Sequence, residues 1–291
     1  MRWKEKNFGR RLCTADEWRI ICDIARPVRR WKERKMADSK RQHVMTDGLI
    51  LREYQTIAES DRFVAILTRD QGLVRAAARG ARKITSRSGA ATQPLCYARL
   101  SLIPGRDKDI IEDARPLEVF FSLRQDAERM ALGQYFCELA LHLTPTGAPA
   151  PEHLRLLLNA LHYLSTGSRD PRLVKAVVEG RLMCLEGYAP DLTGCCVCGA
   201  ADKDRYWFSP AAGNLTCDHC GDHTAALPVT AGVLAALRHI LYGDFDRCFA
   251  FTLPPEEMRT LAHITEQFLL AQQQRSYRTL EFYHTLQTDG T

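Results

Sequence analysis

Four closely spaced cysteines have residue types and spacing that could bind a metal ion. Cys195 and Cys198 form one C-x2-C pair, Cys217 and Cys220 form a second, and residues 199–216 separate the two pairs. Paired C-x2-C motifs present their sulfurs to one tetrahedral ion, and four thiolates leave no coordination position for water or substrate. The spacing therefore predicts one structural zinc ion bound by these four cysteines.

The neighbours of the two pairs leave alternatives at this site. Cys196 duplicates the first pair, but it stands only two residues before Cys198, which favours Cys195 as the ligand. His219 and His223 lie near the second pair and are spare candidate ligands. We expect both histidines to be surface side chains.

Motifs that would indicate catalysis are absent from the sequence. There is no G-x4-G-K-[ST] phosphate-binding loop, no H-E-x-x-H motif and no H-x-E pair of the kind that zinc deaminases use. Isolated cysteines are usually small buried apolar side chains rather than nucleophiles. The sequence therefore predicts a protein that is not an enzyme.

Charge is distributed unevenly along the 291 residues. Residues 1–44 hold 14 Lys and Arg against 6 Asp and Glu, residues 45–110 hold 11 against 7, and residues 111–291 hold 15 against 22. Within the folded part, attraction for a polyanion is therefore expected in residues 45–110. Neither a membrane span nor a secretory signal is evident, and the eleven cysteines with one zinc-like cluster fit a reducing compartment. We expect a cytoplasmic, nucleoid-associated protein.

The basic leader, residues 1–44, has no steady helical or strand period. Met36 and Met45 are possible starts of translation besides Met1, so we expect the leader to be a disordered arm or an upstream extension of the gene. An arm that binds DNA is the functional alternative. We exclude the leader from the fold.

From residue 45 the pattern predicts short β-strands. Five segments are rich in Val, Ile, Leu and aromatic residues and are separated by turn residues: 48–55, 62–70, 73–80, 94–104 and 109–116. An OB-fold is the economical choice, because it closes five strands into a Greek-key barrel with a face that binds oligonucleotides. The pattern alone leaves an SH3-like barrel open.

The third strand and the segment after it carry much of the basic charge of the barrel. Residues 71–106 contain no Asp or Glu. A groove lined by such cations binds a phosphate backbone with an affinity that falls with salt; a solvated basic loop is the alternative. Tyr54, Phe63 and Tyr97 could stack on bases, although aromatic residues in strands are more often core. The predicted DNA contacts are Arg75, Arg79, Arg82, Lys83 and Arg87.

After Pro116 the apolar period becomes helical, in segments 117–143, 150–167, 170–188, 230–243 and 255–286. The sequence thus predicts an α+β protein with two main domains, an N-terminal five-stranded OB-fold barrel and an α-helical domain with an inserted four-cysteine zinc module. The predicted boundaries are 1–44 for the leader, 45–116 for the DNA-binding barrel, 117–194 and 225–291 for the helical domain, and 195–224 for the insertion.

Short motifs along the chain resemble those of the RecO family of bacterial recombination mediators. They occur in the same order as in the family and cover most of the chain after the leader. The matching residues are DGLILR (47–52), ESDR (59–62), LT (67–68), GL (72–73), ARGAR (78–82) with Ser86 and Ser88, EGYAP (186–190), and FSP (208–210) with Gly213.

This resemblance implies a DNA repair mediator without catalytic activity. RecO-like proteins bind single- and double-stranded DNA, anneal complementary strands, bind RecR, and contact single-stranded-DNA-binding protein so that RecA can be loaded onto coated strands. Here it implies DNA contacts among the basic residues from Arg79 to Arg87, and zinc on the four cysteines. We further hypothesise that the helical domain binds the acidic, apolar tail of the single-strand-binding protein through Arg275 or Arg278.

Two other classes of function remain open. A zinc-ribbon transcription or translation factor would contact nucleic acid through Trp207 and Phe208 of the cysteine module, and changes there would abolish binding. An interaction scaffold would act through its helical domain and would keep its activity without the barrel. Neither alternative explains the motifs in the barrel.

Overall fold

A computed structural model describes residues 43–54, 59–221 and 223–288. The predictions for the basic leader therefore lie outside the described residues, apart from those for its last two positions. The described residues belong to one compact unit, Arg41–Thr291. Among them, no helix is both long enough and apolar enough to cross a membrane.

The first five strands close into a barrel. They are β1 (Val44–Tyr54), β2 (Arg62–Thr68), β3 (Gly72–Ala78), β4 (Cys96–Ile103) and β5 (Asp109–Val119). Their order around the barrel is β1-β2-β3-β5-β4, and β4 pairs with β1 to close it. Only the β3–β5 pair is parallel. This arrangement confirms the predicted OB-fold and excludes the SH3-like alternative.

Alternate residues of the barrel strands point into a narrow core. Val64 and Ile66 of β2 pack there with Ala76 and Ala78 of β3, and all four are buried. This alternation follows the period of two that an extended strand imposes on its side chains. Ala65 of β2 and its register partner Arg75 of β3 alternate with these core residues and therefore lie on the outer face.

The helical domain follows the barrel. Its helices are α1 (Ala127–Leu143), α2 (Pro151–Thr166), α3 (Pro171–Leu185), α4 (Ala231–Tyr242), α5 (Pro255–Gln273) and α6 (Arg278–Thr288). Asp126, Asp170 and Thr230 cap the N-termini of α1, α3 and α4 by accepting backbone N–H bonds. α3 is buried on nearly all sides and forms the centre of the domain.

Two predicted helical segments differ from the structure. Residues 117–119 belong to β5, because β4 continues the ladder as far as the pair of Cys96 and Val119. The segment 255–286 is two helices, because Gln274 adopts a left-handed conformation with φ of 48° and ends α5. In both places the apolar spacing is compatible with a continuous helix. Pairing with β4 makes residues 117–119 a strand, and the backbone angle of Gln274 divides the second segment into two helices.

A second sheet surrounds the cysteines. It consists of β6 (Asp191–Cys195), β7 (Arg205–Ser209), β8 (Asn214–Cys217) and β9 (Leu227–Thr230), in the order β6-β8-β7-β9. Phe208 packs edge-on against Phe268 of α5, with ring centroids 5.7 Å apart. Arg238 of α4 donates to the carbonyl oxygen of Leu192 at 2.6 Å. The module is thus held against two helices.

The turn between β2 and β3 joins the barrel to the helical domain. Gly72 has a φ of 63°, and a Cβ atom there would lie 2.2 Å from the carbonyl oxygen of Pro145. Leu73 donates its backbone N–H to that oxygen at 3.0 Å, and Gly147 donates to the carbonyl of Gln71 at 3.0 Å. Only glycine fits this close approach. Gly72 is buried in this contact, whereas Asp70 in the same turn is exposed.

Candidate functional site

The four predicted metal ligands come together at the end of the second sheet. Cys195 ends β6 and Cys217 ends β8, and each is followed by a turn that carries the second cysteine of its pair. The four Sγ atoms all lie within 4.8 Å of one another. Those of Cys198 and Cys217 are 3.8 Å apart. Sulfurs in a tetrahedron with bonds of about 2.3 Å to one ion would be about 3.8 Å apart.

Backbone hydrogen bonds hold the cysteines in place. Gly199, with a φ of 71°, donates its N–H to the carbonyl of Cys195 at 2.8 Å and so closes the first turn. Cys220 donates to the carbonyl of Cys217 at 3.0 Å and closes the second. The N–H of Cys217 also points at the Sγ atom of Cys195, at 3.4 Å. Such N–H donors stabilise thiolate charge.

The thiol pKa values reflect this arrangement. The backbone N–H of Cys198, with that of Cys217, lowers the pKa of Cys195 to about 6. The side chains of Cys217 and Cys198 raise the pKa of Cys220 to about 12. The cluster therefore favours one thiolate by itself, and a cation among the four sulfurs would favour all of them in that form.

The structure separates Cys196 and the two histidines from the cluster. Cys196 is exposed, and its backbone N–H pairs with the carbonyl of Leu215 at 2.8 Å. His219 is exposed, and His223 stacks on Trp207 with ring centroids 4.7 Å apart. Within the described residues the cluster thus consists of Cys195 and the other three cysteines of the two pairs.

The five basic residues predicted to contact DNA are all exposed, but they are not equivalent. The side chain of Arg82 lies 2.6 Å from Glu53, and Arg62 contacts the same carboxylate at 2.9 Å. The charge of Arg82 is therefore partly neutralised. Among the described residues, four of the five form no ion pair: Arg75, Arg79, Lys83 and Arg87.

The connection that carries most of these cations, residues 79–95, is anchored on the barrel. Asp61 accepts the backbone N–H of Gly80 at 2.8 Å. Arg62 donates to the carbonyl of Gly89 at 2.6 Å. Both anchors lie at the start of β2, so the basic residues extend from a fixed position beside that strand.

An aromatic pair with two cations lies on the outer face of the barrel. Tyr54 and Phe63 are cross-strand neighbours with ring centroids 5.5 Å apart. The guanidinium carbon of Arg52 is 5.6 Å from the Tyr54 centroid, and Nζ of Lys108 is 5.1 Å from the Phe63 centroid. Arg52 and Lys108 were not predicted from the sequence as DNA contacts, because they are distant from the basic run. The β1–β2 register, had it been known, would have revealed Arg52.

Two arginines extend this face across three strands. Arg52 of β1 and Arg75 of β3 both pair with Ala65 of β2. With adjacent strands about 4.8 Å apart, their Cα atoms are about 10 Å apart. We call the face formed by Arg52, Tyr54, Phe63, Arg75 and Lys108 the aromatic–basic face. The rings of such a face can stack on bases, and the cations beside them can neutralise phosphates.

Tyr97, the third aromatic candidate, does not belong to this face. It lies on β4, where its register partners are Leu49 of β1 and Glu118 of β5. Burial, together with the nearby charge of Asp47, raises its pKa to about 12. The structure therefore brings together two of the three aromatic residues that were considered as stacking candidates.

Arg275 and Arg278 are exposed where α5 connects to α6. Arg275 donates to Nδ1 of His142 at 2.9 Å, and its guanidinium carbon is 5.9 Å from the Tyr277 centroid. Burial and the adjacent Arg275 lower the pKa of His142, which suits its role as a neutral acceptor. Arg278 begins α6 and forms no ion pair with the described residues.

Comparisons with known proteins match both parts of this architecture. The family model described as "Recombination protein O N terminal" matches residues 42–120, and the one described as "Recombination protein O C terminal" matches residues 124–281. The chain belongs to the RecO family. The RecO resemblance expected from its short motifs is therefore confirmed, and the two matches cover the barrel and the helical domain with its cysteine cluster.

Curated RecO proteins are similar over nearly their whole length. The DNA repair protein RecO of Acetivibrio thermocellus is 29% identical over 84% of this chain and 97% of its own. That of Symbiobacterium thermophilum is 32% identical over 83% and 97%. That of Desulforudis audaxviator is 34% identical over 81% and 94%.

Proposed function

We propose that this RecO-family chain is a recombination mediator that binds single- and double-stranded DNA through its barrel and anneals complementary strands. The observation that carries the proposal is the aromatic–basic face, where the neighbouring rings of Tyr54 and Phe63, tilted by 43° to each other, lie between cations. The anchored basic segment 79–87 adds further exposed cations to the same domain. Membership of the RecO family supports DNA repair as the setting.

Annealing follows from the chemistry of such a face. Two strands repel each other through their phosphates, and cations that neutralise both backbones lower this repulsion without reading the bases. Stacking on aromatic rings keeps single strands extended and is tolerant of sequence. These steps need no hydrolysis of a nucleotide, so the proposed function is not enzymatic.

The salt dependence of binding tests this proposal. Replacing Arg79, Lys83 and Arg87 together by Ala should lower the affinity for single-stranded DNA. It should also reduce the slope of log K against log salt by about 2, because each phosphate contact contributes about 0.7. The three side chains are exposed, so the fold should tolerate their loss.

Lys203→Ala/Arg205→Ala provides the matched control, because both residues are exposed cations of the cysteine module. This control should keep the full slope. A slope that falls in the control and not in the barrel variant would favour the zinc-ribbon alternative and would refute DNA binding by the barrel.

We further propose that the four-cysteine cluster binds one zinc ion. The donor set fits, because four sulfurs within 4.8 Å of one another match a tetrahedral thiolate site. Such a site has no open position, so its role is structural. The ion would join β6 and β8 through their two turns and stabilise the module against α4 and α5.

The remaining proposals concern partners in the cytoplasm. We propose that the chain binds RecR and the C-terminal tail of single-stranded-DNA-binding protein, and so assists loading of RecA.

Two exposed arginines near α6, Arg275 and Arg278, can pair with carboxylates of an acidic tail. Arg275→Ala/Arg278→Ala should weaken binding of a peptide copy of that tail about tenfold, measured by fluorescence anisotropy. Arg259→Ala, an exposed change on α5, should not, and equal affinity for all three proteins would refute this assignment.

A further inference from the structure

Ile84 lies at the tip of the basic segment and is fully exposed. The residue has 105% of its reference accessible area, whereas Val197, the next most exposed large apolar residue of the described residues, has 65%. Exposed cations precede and follow it at Lys83 and Arg87. An apolar side chain is thus presented among positive charges, where it contacts no core.

The backbone holds this tip in a defined turn. Lys83 donates its N–H to the carbonyl of Gly80 at 3.1 Å, and Ser86 donates to the carbonyl of Lys83 at 2.9 Å. Ile84 and Thr85 are therefore the two central residues of the turn 83–86, and both are exposed. The anchors of the connection at Gly80 and Gly89 hold this turn in position on the barrel.

The residue type is unusual for such a position. Turn corners favour Gly, Pro, Asn, Asp and Ser, because these residues fit the backbone angles or bond to nearby backbone groups. Isoleucine does neither, and its branched Cβ makes it stiff. A stiff apolar side chain on a fixed basic turn has the properties of the wedges with which DNA-binding proteins contact bases.

We propose that the turn 83–86 is a nucleobase-contact site, in which Ile84 packs against the face of an unstacked base while neighbouring cations hold its phosphates. The proposal deepens the proposed binding of single-stranded DNA and rests on it. It assigns the turn a role different from that of the aromatic–basic face, where the rings of Tyr54 and Phe63 supply the stacking. An apolar contact of this kind favours unstacked bases of any sequence.

The two kinds of contact differ in their response to salt. A phosphate contact releases counterions, so its loss changes the slope of log K against log salt. An apolar contact releases none, so its loss lowers the affinity by the same factor at every salt concentration. An abasic oligonucleotide keeps the phosphates and lacks the bases, so it provides a second way to distinguish a phosphate contact from a base contact.

The experiment measures binding of the full chain to a mixed-sequence single-stranded oligonucleotide and to an abasic one of equal length, across a salt series. Ile84→Ala should weaken binding to the first about fivefold at every salt concentration and leave binding to the second unchanged. Ile84→Leu should restore most of the affinity, because it keeps the apolar volume. Lys83→Ala should instead lower the slope by about 0.7 on both oligonucleotides.

The outcomes distinguish this inference from the proposed function. If Ile84→Ala binds the mixed-sequence oligonucleotide like the wild type while Lys83→Ala lowers the slope, the base contact is wrong and DNA binding by the barrel stands. An equal loss on both oligonucleotides would also overturn the base contact. If neither Lys83→Ala nor the triple variant Arg79→Ala/Lys83→Ala/Arg87→Ala changes the slope, the proposed function fails with it.

Discussion

Lys175 carries a charge into the centre of the helical domain, and its partners define a network at the scale of single residues. Its Nζ lies 2.8 Å from Glu179 and 2.7 Å from Glu266, and all three residues are buried. Tyr135 donates to Glu179 at 2.8 Å, and His284 lies 3.1 Å from Glu266. The network therefore links α3 and α5 to α1 and α6.

The two carboxyl groups differ in their pKa values. Burial raises the pKa of Glu179. Burial acts on Glu266 in the same direction, but attraction and hydrogen bonding to Lys175 and His284 outweigh it and lower the pKa of Glu266. Because the folded-state pKa of Glu266 is lower than its ordinary value of 4.5, ionised Glu266 stabilises the protein at pH values above 4.5. This stabilisation is lost as the pH falls through the folded-state pKa.

Replacing Lys175 by Met should destabilise the protein by about 3–5 kcal/mol at pH 7, because two carboxylates are left buried without their cation. Both carboxyl groups should then have raised pKa values. The stability of the variant should therefore increase as the pH falls from 7 to 5, since protonation removes the uncompensated charge. Urea unfolding at the two pH values measures both effects.

Arg259→Ala is the control for this prediction, because Arg259 forms an exposed ion pair with Glu256. Its loss should change the free energy of unfolding by less than about 1 kcal/mol. A Lys175→Met protein with the stability and pH dependence of the wild type would show that the buried network does not stabilise the domain.

Sequence patterns could not reveal this network. An apolar period of three to four residues identifies a helix, but it does not show that a charged residue within it is buried. Glu266 lies far from Lys175 in the chain, and their contact depends on how α3 packs against α5. The cysteine cluster, in contrast, was predictable from local spacing, since two ligands in each turn are fixed by the turn itself.

At the scale of elements, the cysteine module shows where local pattern and tertiary pairing diverge. The spacing identified the four clustered residues, but the four strands around them were not predicted. These strands are only four or five residues long, and β6 pairs with β8 across the whole module. Strands this short lack a usable period and form because the turns and the adjacent helices bring them together.

If the cluster binds zinc as proposed, Cys217→Ser/Cys220→Ser should abolish zinc binding and lower the melting temperature, because metal-coupled folding energy is lost with the second turn. Removal of the metal from the wild type with a chelator should lower it similarly. Metal content and thermal unfolding monitored by circular dichroism measure these effects.

Cys196→Ser is the matched control, because Cys196 is exposed and outside the cluster. It should keep one zinc ion per chain and the wild-type melting temperature. Unchanged stability of the double variant, or loss of zinc in the control alone, would contradict the proposed structural site.

At the scale of the whole molecule, net charge differs between the barrel and the helical domain. Residues 45–110 carry a net charge of +4 and residues 111–291 a net charge of −7. The cations of the barrel are concentrated on the aromatic–basic face and in the anchored segment after β3.

The architecture and this charge division were predictable from sequence. The way distant Arg52 and Lys108 join the aromatic pair was not, because it depends on strand register and on the β4–β5 turn.

The leader, residues 1–44, carries a net charge of +8 and is the main competing source of DNA affinity. A flexible or ordered cation-rich segment would give salt-dependent binding by itself. The central claim, that the barrel binds DNA, therefore has to be measured in the absence of most of this charge.

The most direct measurement is binding of fluorescent single-stranded DNA across a salt series, comparing the full chain with one that begins at Arg41, the first residue of the compact unit. We predict that the shortened chain still binds with a steep salt slope, and that replacing Arg79, Lys83 and Arg87 by Ala lowers that slope by about 2. If binding disappears with residues 1–40, the leader accounts for the DNA affinity and the proposed role of the barrel is wrong.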